Sequence, residues 1–290
     1  MRPAYIVQIV TPKKFELDGL WLGPKKAKKV VVWVHGLGSS MFRKLGIADE
    51  LVDNETAVLV FNNRGHDKIA RIHKTSGKSF KGGSVHEVFT ECVDDIDGAV
   101  RYARENGAKQ IFVVGHSTGC QKAAYWGSKR KAVADGIILL SPMSDYSAER
   151  MASGKKALVR AEKVARAMVA KGRAHDVLPE SVWPWPWIAD AQRFLSLYTG
   201  KSPEEIFTYW EPQRPSATLR RVTTSLLAVI PEKDEYAEMS TKTIGKWFAA
   251  NVHNGTALVF PGAGHSFRGH EKDIARSIRA FMKEKPPSNV

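Results

Sequence analysis

The segment Gly115-His116-Ser117-Thr118-Gly119 places a serine between two glycines. A serine hydroxyl is a weak nucleophile unless a base removes its proton as it attacks. The bare G-x-S-x-G pattern recurs by chance, so its setting decides what it is worth. An apolar, strand-like run at 110–114 precedes it, and a helix-compatible segment at 120–128 follows. Such a strand–turn–helix lifts the serine on a strained turn and brings the helix N-terminus near developing negative charge. Glycines suit that turn because strand and helix backbones nearly meet there.

The base and its orienting acid are expected on loops after later strands. The run 257–260 leads into Pro261-Gly262-Ala263-Gly264-His265, and the glycines let the loop turn an imidazole back toward the serine. His265 is the candidate base. The run 226–230 leads into Pro231-Glu232-Lys233-Asp234-Glu235, where three carboxylates compete. Asp234 is the candidate acid, with Glu232 in reserve. An oxyanion needs two backbone donors. Thr118 N–H, just after the serine, is one. The early turn His35-Gly36-Leu37-Gly38 offers the other, from Leu37 or, in reserve, Gly38.

These residues must be held by a sheet. Continuous apolar runs at 29–34, 57–61, 110–114 and 137–140 read as strands buried on both faces. Strand-like segments at 4–10 and 15–21 precede them around Thr11-Pro12, and 225–230 and 257–260 follow. Helical periodicity fills 85–106, 120–128 and 272–283. Strands alternating with helices predict βαβ units and a parallel sheet. The alternation stops between 144 and 220. That stretch holds a basic amphipathic helix at 154–172, a proline-broken Val182-Trp183-Pro184-Trp185-Pro186-Trp187, a helix at 189–197 and a further one starting at Pro203. The expected organisation is a core at 1–143, a helical cap inserted at 144–220, and the rest of the core at 221–290.

The motifs HGLG, NNRGHD, GHSTG, PEKDE and GAGHSF stand in the family order of α/β-hydrolases, and the chain resembles that superfamily across 30–290. The order Ser, Asp, His is also theirs. The resemblance implies an α/β fold with an eight-stranded, mostly parallel sheet flanked by helices and a cap over the site. More narrowly, GHSTGCQKAAYW and AQRFLSLYTGKSPEEIF are similar to the group of fungal siderophore esterases and bacterial hydrolases. Serine rather than aspartate at 117 argues against haloalkane dehalogenase or epoxide hydrolase chemistry.

Other side chains read as structure. His35 and His116 brace their loops, and Arg64 ties the sheet-end loops together. Cys92 and Cys120, the only two cysteines, read as packed thiols. Trp183, Trp185, Trp187 and Trp210 gather in the cap, where they either glue it to the sheet or line an apolar or aromatic substrate pocket.

Composition excludes much. With 290 residues, 43% apolar and 26% charged, the chain is neither disordered nor collagen-like. No H-E-x-x-H or paired-cysteine motif suggests a metal, and no G-x-G-x-x-G follows a strand to hold a dinucleotide. No cofactor is expected. The net charge of +14 is scattered. It favours attraction of an anionic substrate over nucleic-acid binding, for which no recognition motif is present. No apolar stretch is long enough to span a bilayer, and no secretory leader is evident, so the expected compartment is the cytoplasm. The function expected is hydrolysis of a small carboxylic ester through Ser117, His265 and Asp234. The same triad serves amidases, thioesterases, C–C hydrolases and acyltransferases. A non-catalytic small-molecule binder is the alternative from another class.

Overall fold

The computed structural model describes residues 3–184, 186 and 188–283. Strands β1 (Ala4–Val10) and β2 (Phe15–Leu22) form an antiparallel pair at the start of the chain. Strand β3 (Lys29–Val34) follows, then α1 (Leu45–Leu51) and β4 (Thr56–Phe61). A hairpin of β5 (Ala70–Lys74) and β6 (Ser79–Gly82) precedes α2 (Cys92–Glu105), β7 (Gln110–His116), α3 (Thr118–Lys129) and β8 (Gly136–Leu140). Helices α4 (Asp145–Ser153), α5 (Lys155–Ala170) and α6 (Ala191–Leu197) come next. The chain closes with β9 (Leu226–Pro231), α7 (Thr241–Asn251), β10 (Gly255–Phe260) and α8 (Glu271–Lys283).

All ten strands join one sheet, in the order β10-β9-β8-β7-β3-β4-β2-β5-β6, with β1 paired to β2. The run from β10 to β4 is parallel throughout. Strand β3 shows why: Val30, Val32 and Val34 face one layer, Val31 and Trp33 the other, and all are buried. A strand covered on both faces reads as a continuous apolar run. Helices α2, α3 and α7 pack on one face, through residues such as Ile96, Ala123 and Phe248. Helices α1 and α8 pack on the other, through Ile47, Leu51, Ile274 and Ile278.

The sheet exceeds the expected eight strands. The β5–β6 hairpin extends the antiparallel edge, and its sequence carries little apolar periodicity because most of it faces solvent. The helix expected from 85 begins only at Cys92. Before it come a turn at 84–86, with Val85 N–H bonded to Lys68 O and Val85 O accepting from Asp190 N–H, and a 3-10 helix at Phe89–Glu91. No helix starts at Pro203. Glu204 and Glu205 there turn inward instead, to Arg193 and to Ser144.

Between β8 and β9 the described residues form helices and loops, with an isolated bridge from Val177 to Asp190. Leu158, Ala161, Ala165 and Met168 form the buried stripe of α5, packed with Trp183, Phe194 and Tyr198 into a separate small core. The later part of this stretch behaves differently. Ile206, Phe207, Tyr209 and Leu219 bury themselves in the main core beneath the sheet.

Candidate active site

Five loops meet at the carboxyl ends of adjacent parallel strands, the usual place for a site in an α/β sheet. Gly36 follows β3, Ser117 follows β7, Met143 follows β8, Asp234 follows β9 and His265 follows β10.

Ser117 sits at φ 56°, ψ −129°, a strained turn between β7 and α3. Its neighbours explain the glycines of the motif. A Cβ on Gly115 would run into the Gly119 carbonyl, and one on Gly119 into the carbonyl of Val34. A Cβ on Gly36 would lie 2.9 Å from that of Ser117, so the turn after β3 approaches the serine only because it has no side chain there.

The serine is one end of a three-member chain. Ser117 Oγ lies 2.9 Å from His265 Nε2. His265 Nδ1 lies 2.9 Å from Asp234 Oδ2 and 3.1 Å from Oδ1. The imidazole is 7% exposed and the carboxylate 6%, so the contact is shielded from water. Because Nδ1 faces a carboxylate, it carries the proton and leaves Nε2 as an acceptor toward the hydroxyl.

The two competing acids are otherwise engaged. Glu232 Oε2 accepts from Gly262 N–H at 2.7 Å, and Glu235 Oε2 from His265 N–H at 3.0 Å. Both tether the histidine loop to the acid loop rather than touching the imidazole's nitrogens. From the other side, His116 Nε2 lies 3.1 Å from the His265 carbonyl, which also accepts from Ser141 Oγ at 2.7 Å. Burial, aided by the neighbouring His265, pushes the His116 pKa far below its ordinary value. Neutral His116 therefore donates Nε2–H to that carbonyl. His35 is likewise neutral. Burial, with Lys122 nearby, lowers its pKa to about 3, and its Nδ1–H donates to Gly36 O. Both histidines brace loops, as expected. So does Arg64, whose guanidinium reaches Asp95, Glu91 and Asp94 around the start of α2.

A cavity of about 660 Å³ opens over Ser117 and His265. Gly36, Leu37 and Gly38 border it, as do Met143, Tyr198 and Tyr236. Met143 Sδ lies 3.7 Å from Ser117 Oγ, and the Tyr236 ring stands edge-on to His265 at 4.8 Å. Arg43, Lys44 and Arg268 line the same cavity, together with the acids Asp145, Glu149 and Glu271. None of the three cations has an ion-pair partner among the described residues; Lys44 Nζ donates instead to Ser266 O at 2.7 Å.

Trp183 and Trp210 are placed otherwise than a pocket lining requires. Trp183 is 4% exposed and packs edge-on to Phe194 and against Tyr198. Trp210 packs on Tyr146 and donates Nε1–H to Glu205. Neither borders the cavity. Their bulk is consumed in joining helices, and Tyr198 is what Trp183 supports from behind. Trp185 and Trp187 lie outside the described residues. Sequence reasoning passed over Met143, Tyr198 and Tyr236. The first stands just beyond the carboxyl end of β8, and that position was the available signal.

Among the described residues no group of acids, histidines or cysteines could hold a metal ion, and no helix is long and apolar enough to cross a membrane. Both cysteines are free and buried.

The fold recurs in solved structures. An esterase of Pyrococcus furiosus, Pf2001, is 18% identical with a TM-score of 0.62, covering 98% of this chain and 92% of that one. The siderophore hydrolase EstB of Aspergillus fumigatus is 18% identical with a TM-score of 0.67, covering 97% and 98%. Est1E of Butyrivibrio proteoclasticus, solved with ferulic acid bound, is 16% identical with a TM-score of 0.62, covering 96% and 98%. No curated protein sequence matches the chain. The Hydrolase_4 model, described as serine aminopeptidase, S33, matches residues 25–273, and the chain therefore belongs to that family of α/β-hydrolases.

Proposed function

We propose that the protein cleaves a carboxylic ester through an acyl-enzyme on Ser117. The observation that carries this reading is the unbroken chain Ser117–His265–Asp234, with both links at 2.9 Å, at the base of the cavity. His265 Nε2 takes the hydroxyl proton as Oγ bonds to the ester carbonyl carbon. The carbonyl oxygen becomes an oxyanion, held by the N–H groups of Thr118 and Leu37. Thr118 begins α3, where backbone donors have no acceptor inside the helix. Leu37 borders the cavity beside Gly38, which remains the reserve donor. Each donor contributes about 3 kcal/mol to the transition state. The tetrahedral intermediate collapses, the C–O bond to the alcohol breaks, and imidazolium, steadied by Asp234, protonates the leaving alkoxide. Water then repeats the cycle on the acyl-serine and frees the acid.

The family description names an aminopeptidase. The cavity is lined by three cations, Arg43, Lys44 and Arg268, and three acids, Asp145, Glu149 and Glu271. The three cations, none of them in an ion pair among the described residues, support an ester bearing an anionic group. Two of the structural neighbours, an esterase and a siderophore hydrolase, accord with hydrolysis of an ester. The test is a panel of p-nitrophenyl esters and amino-acid p-nitroanilides, with Ser117→Ala as control. Ester turnover lost in Ser117→Ala supports the proposal. Turnover of anilides alone, or ester turnover surviving the substitution, overturns it.

A further inference from the structure

The cavity wall contains an acid that the triad does not use. Asp145 is the first residue of α4 and lines the cavity beside Met143, Ala148 and Tyr198. It is only 7% exposed. Its Oδ2 accepts from Gln121 Nε2 at 2.6 Å, and the same nitrogen donates to Met143 O at 3.0 Å. Gln121 stands one turn beyond Ser117 on α3, so the carboxyl is fixed relative to the serine by a rigid element. Its second oxygen, Oδ1, makes no hydrogen bond and no ion pair among the described residues.

The N-cap of α4 does not need that carboxyl. Ser144 already caps α4, its hydroxyl accepting from Ser147 N–H at 3.0 Å. A buried acid with an open oxygen costs stability unless something bonds to it. Burial, and after it the carboxylate of Glu204, pushes the Asp145 pKa far above the usual carboxylate range. Arg193 opposes this without reversing it, and Glu205 adds to it. That shift favours the protonated carboxyl, which both donates and accepts. A hydroxyl matches it on both counts. An ammonium does not.

We propose that Asp145 is a specificity-determining residue that reads a hydroxyl on the substrate, so that the preferred ester is a hydroxylated one. This rests on the serine hydrolase reading above. The experiment compares kcat/KM for two matched pairs: p-nitrophenyl 3-hydroxybutyrate against p-nitrophenyl butyrate, and glycerol monobutyrate against propyl butyrate. One pair places the hydroxyl on the acyl side, the other on the alcohol side. The wild type should favour the hydroxylated member of one pair by about tenfold, the worth of one net hydrogen bond. Asp145→Leu should bring that ratio to about one, and Asp145→Asn, which also donates and accepts, should keep most of it. No preference in either pair overturns the proposal without reference to any variant. So does a preference that survives Asp145→Leu or vanishes in Asp145→Asn. Labelling of Ser117 by a fluorophosphonate in the same preparation separates the two levels. Labelling without hydroxyl preference removes this inference alone. Absence of both labelling and turnover removes the hydrolase reading and this one with it.

Discussion

Lys122 Nζ lies 2.5 Å from Glu87 Oε1, and neither side chain has appreciable access to solvent. The pair joins α3, the helix that carries the serine turn, to the loop before α2. Glu87 also faces Arg193 of α6 at 2.9 Å, and Arg193 in turn meets Glu204 at 2.5 Å. Burial opposes the Glu87 charge, but Lys122 and Arg193 outweigh it and hold the carboxyl below its ordinary pKa. The carboxylate also fills the space beside Gly65, where a Cβ would collide with it. One buried anion thus positions the serine helix, the loop after β4 and the helices above the site.

Removing one partner should therefore be severe. Lys122→Met leaves Glu87 buried with one cation fewer, which should cost about 3–5 kcal/mol. The double variant Lys122→Met, Glu87→Gln should recover part of that loss. Urea unfolding of the wild type, the two single variants and the double variant checks it. Additive losses in the double variant would show that the two groups act independently.

The acids of the 231–235 loop should separate cleanly. Asp234→Asn keeps the shape of the site but favours the wrong imidazole tautomer, and should lower kcat by about 10⁴-fold. Glu232→Gln weakens only the tether to Gly262 N–H and should leave kcat within about threefold, its cost being that of one net hydrogen bond. Steady-state kinetics on one chromogenic ester distinguishes them. Equal losses would mean that both carboxylates serve the histidine.

Glu205 gives a pH dependence of stability. Burial raises its pKa from 4.5 to about 7, although Ser144 Oγ and Trp210 Nε1 both donate to it. Below about pH 4.5 the carboxyl is protonated in folded and unfolded chains alike. As pH rises from there to about 7, the unfolded chain releases this proton and the folded chain holds it. Stability therefore falls across that window, by about 3 kcal/mol for this group, and no further above it. Glu205→Gln should lack this component. The difference in unfolding free energy between variant and wild type should grow between pH 5 and 7.5. A constant difference would contradict the assignment.

Trp183 tests what the tryptophans are for. Its ring packs 4.8 Å from that of Phe194 and 5.3 Å from that of Tyr198, away from the cavity. Trp183→Ala should cost about 3–5 kcal/mol of local stability, the usual price of a buried aromatic. Trp183→Phe should restore most of it. Loss of ester binding in both variants with stability unchanged would return Trp183 to the pocket.

Most of this site was legible in the chain because its chemistry is local. The glycines around Ser117, the apolar β7 run and the loop after β10 are short-range requirements, and the order of the motifs supplied the rest. What remained hidden depends on long-range packing. Asp234 stood among three acids, and only the loop bonds of Glu232 and Glu235 separate their roles. The tryptophans carried no sign of direction, since a bulky ring serves a pocket or a helix seam equally well. The β5–β6 hairpin lacked an apolar pattern because it faces water. The inward turn of Glu204 and Glu205 could not be read either, because their partners, Arg193 and Ser144, are fixed only by the folded helices.

The central claim is that Ser117 is made nucleophilic by His265. Intact-protein and peptide mass spectrometry after treatment with a fluorophosphonate measures it most directly. A single adduct on the peptide containing Ser117, formed in the wild type and strongly slowed in His265→Ala, is the predicted result. An unmodified Ser117 in correctly folded protein, or equal labelling with and without the imidazole, would contradict it.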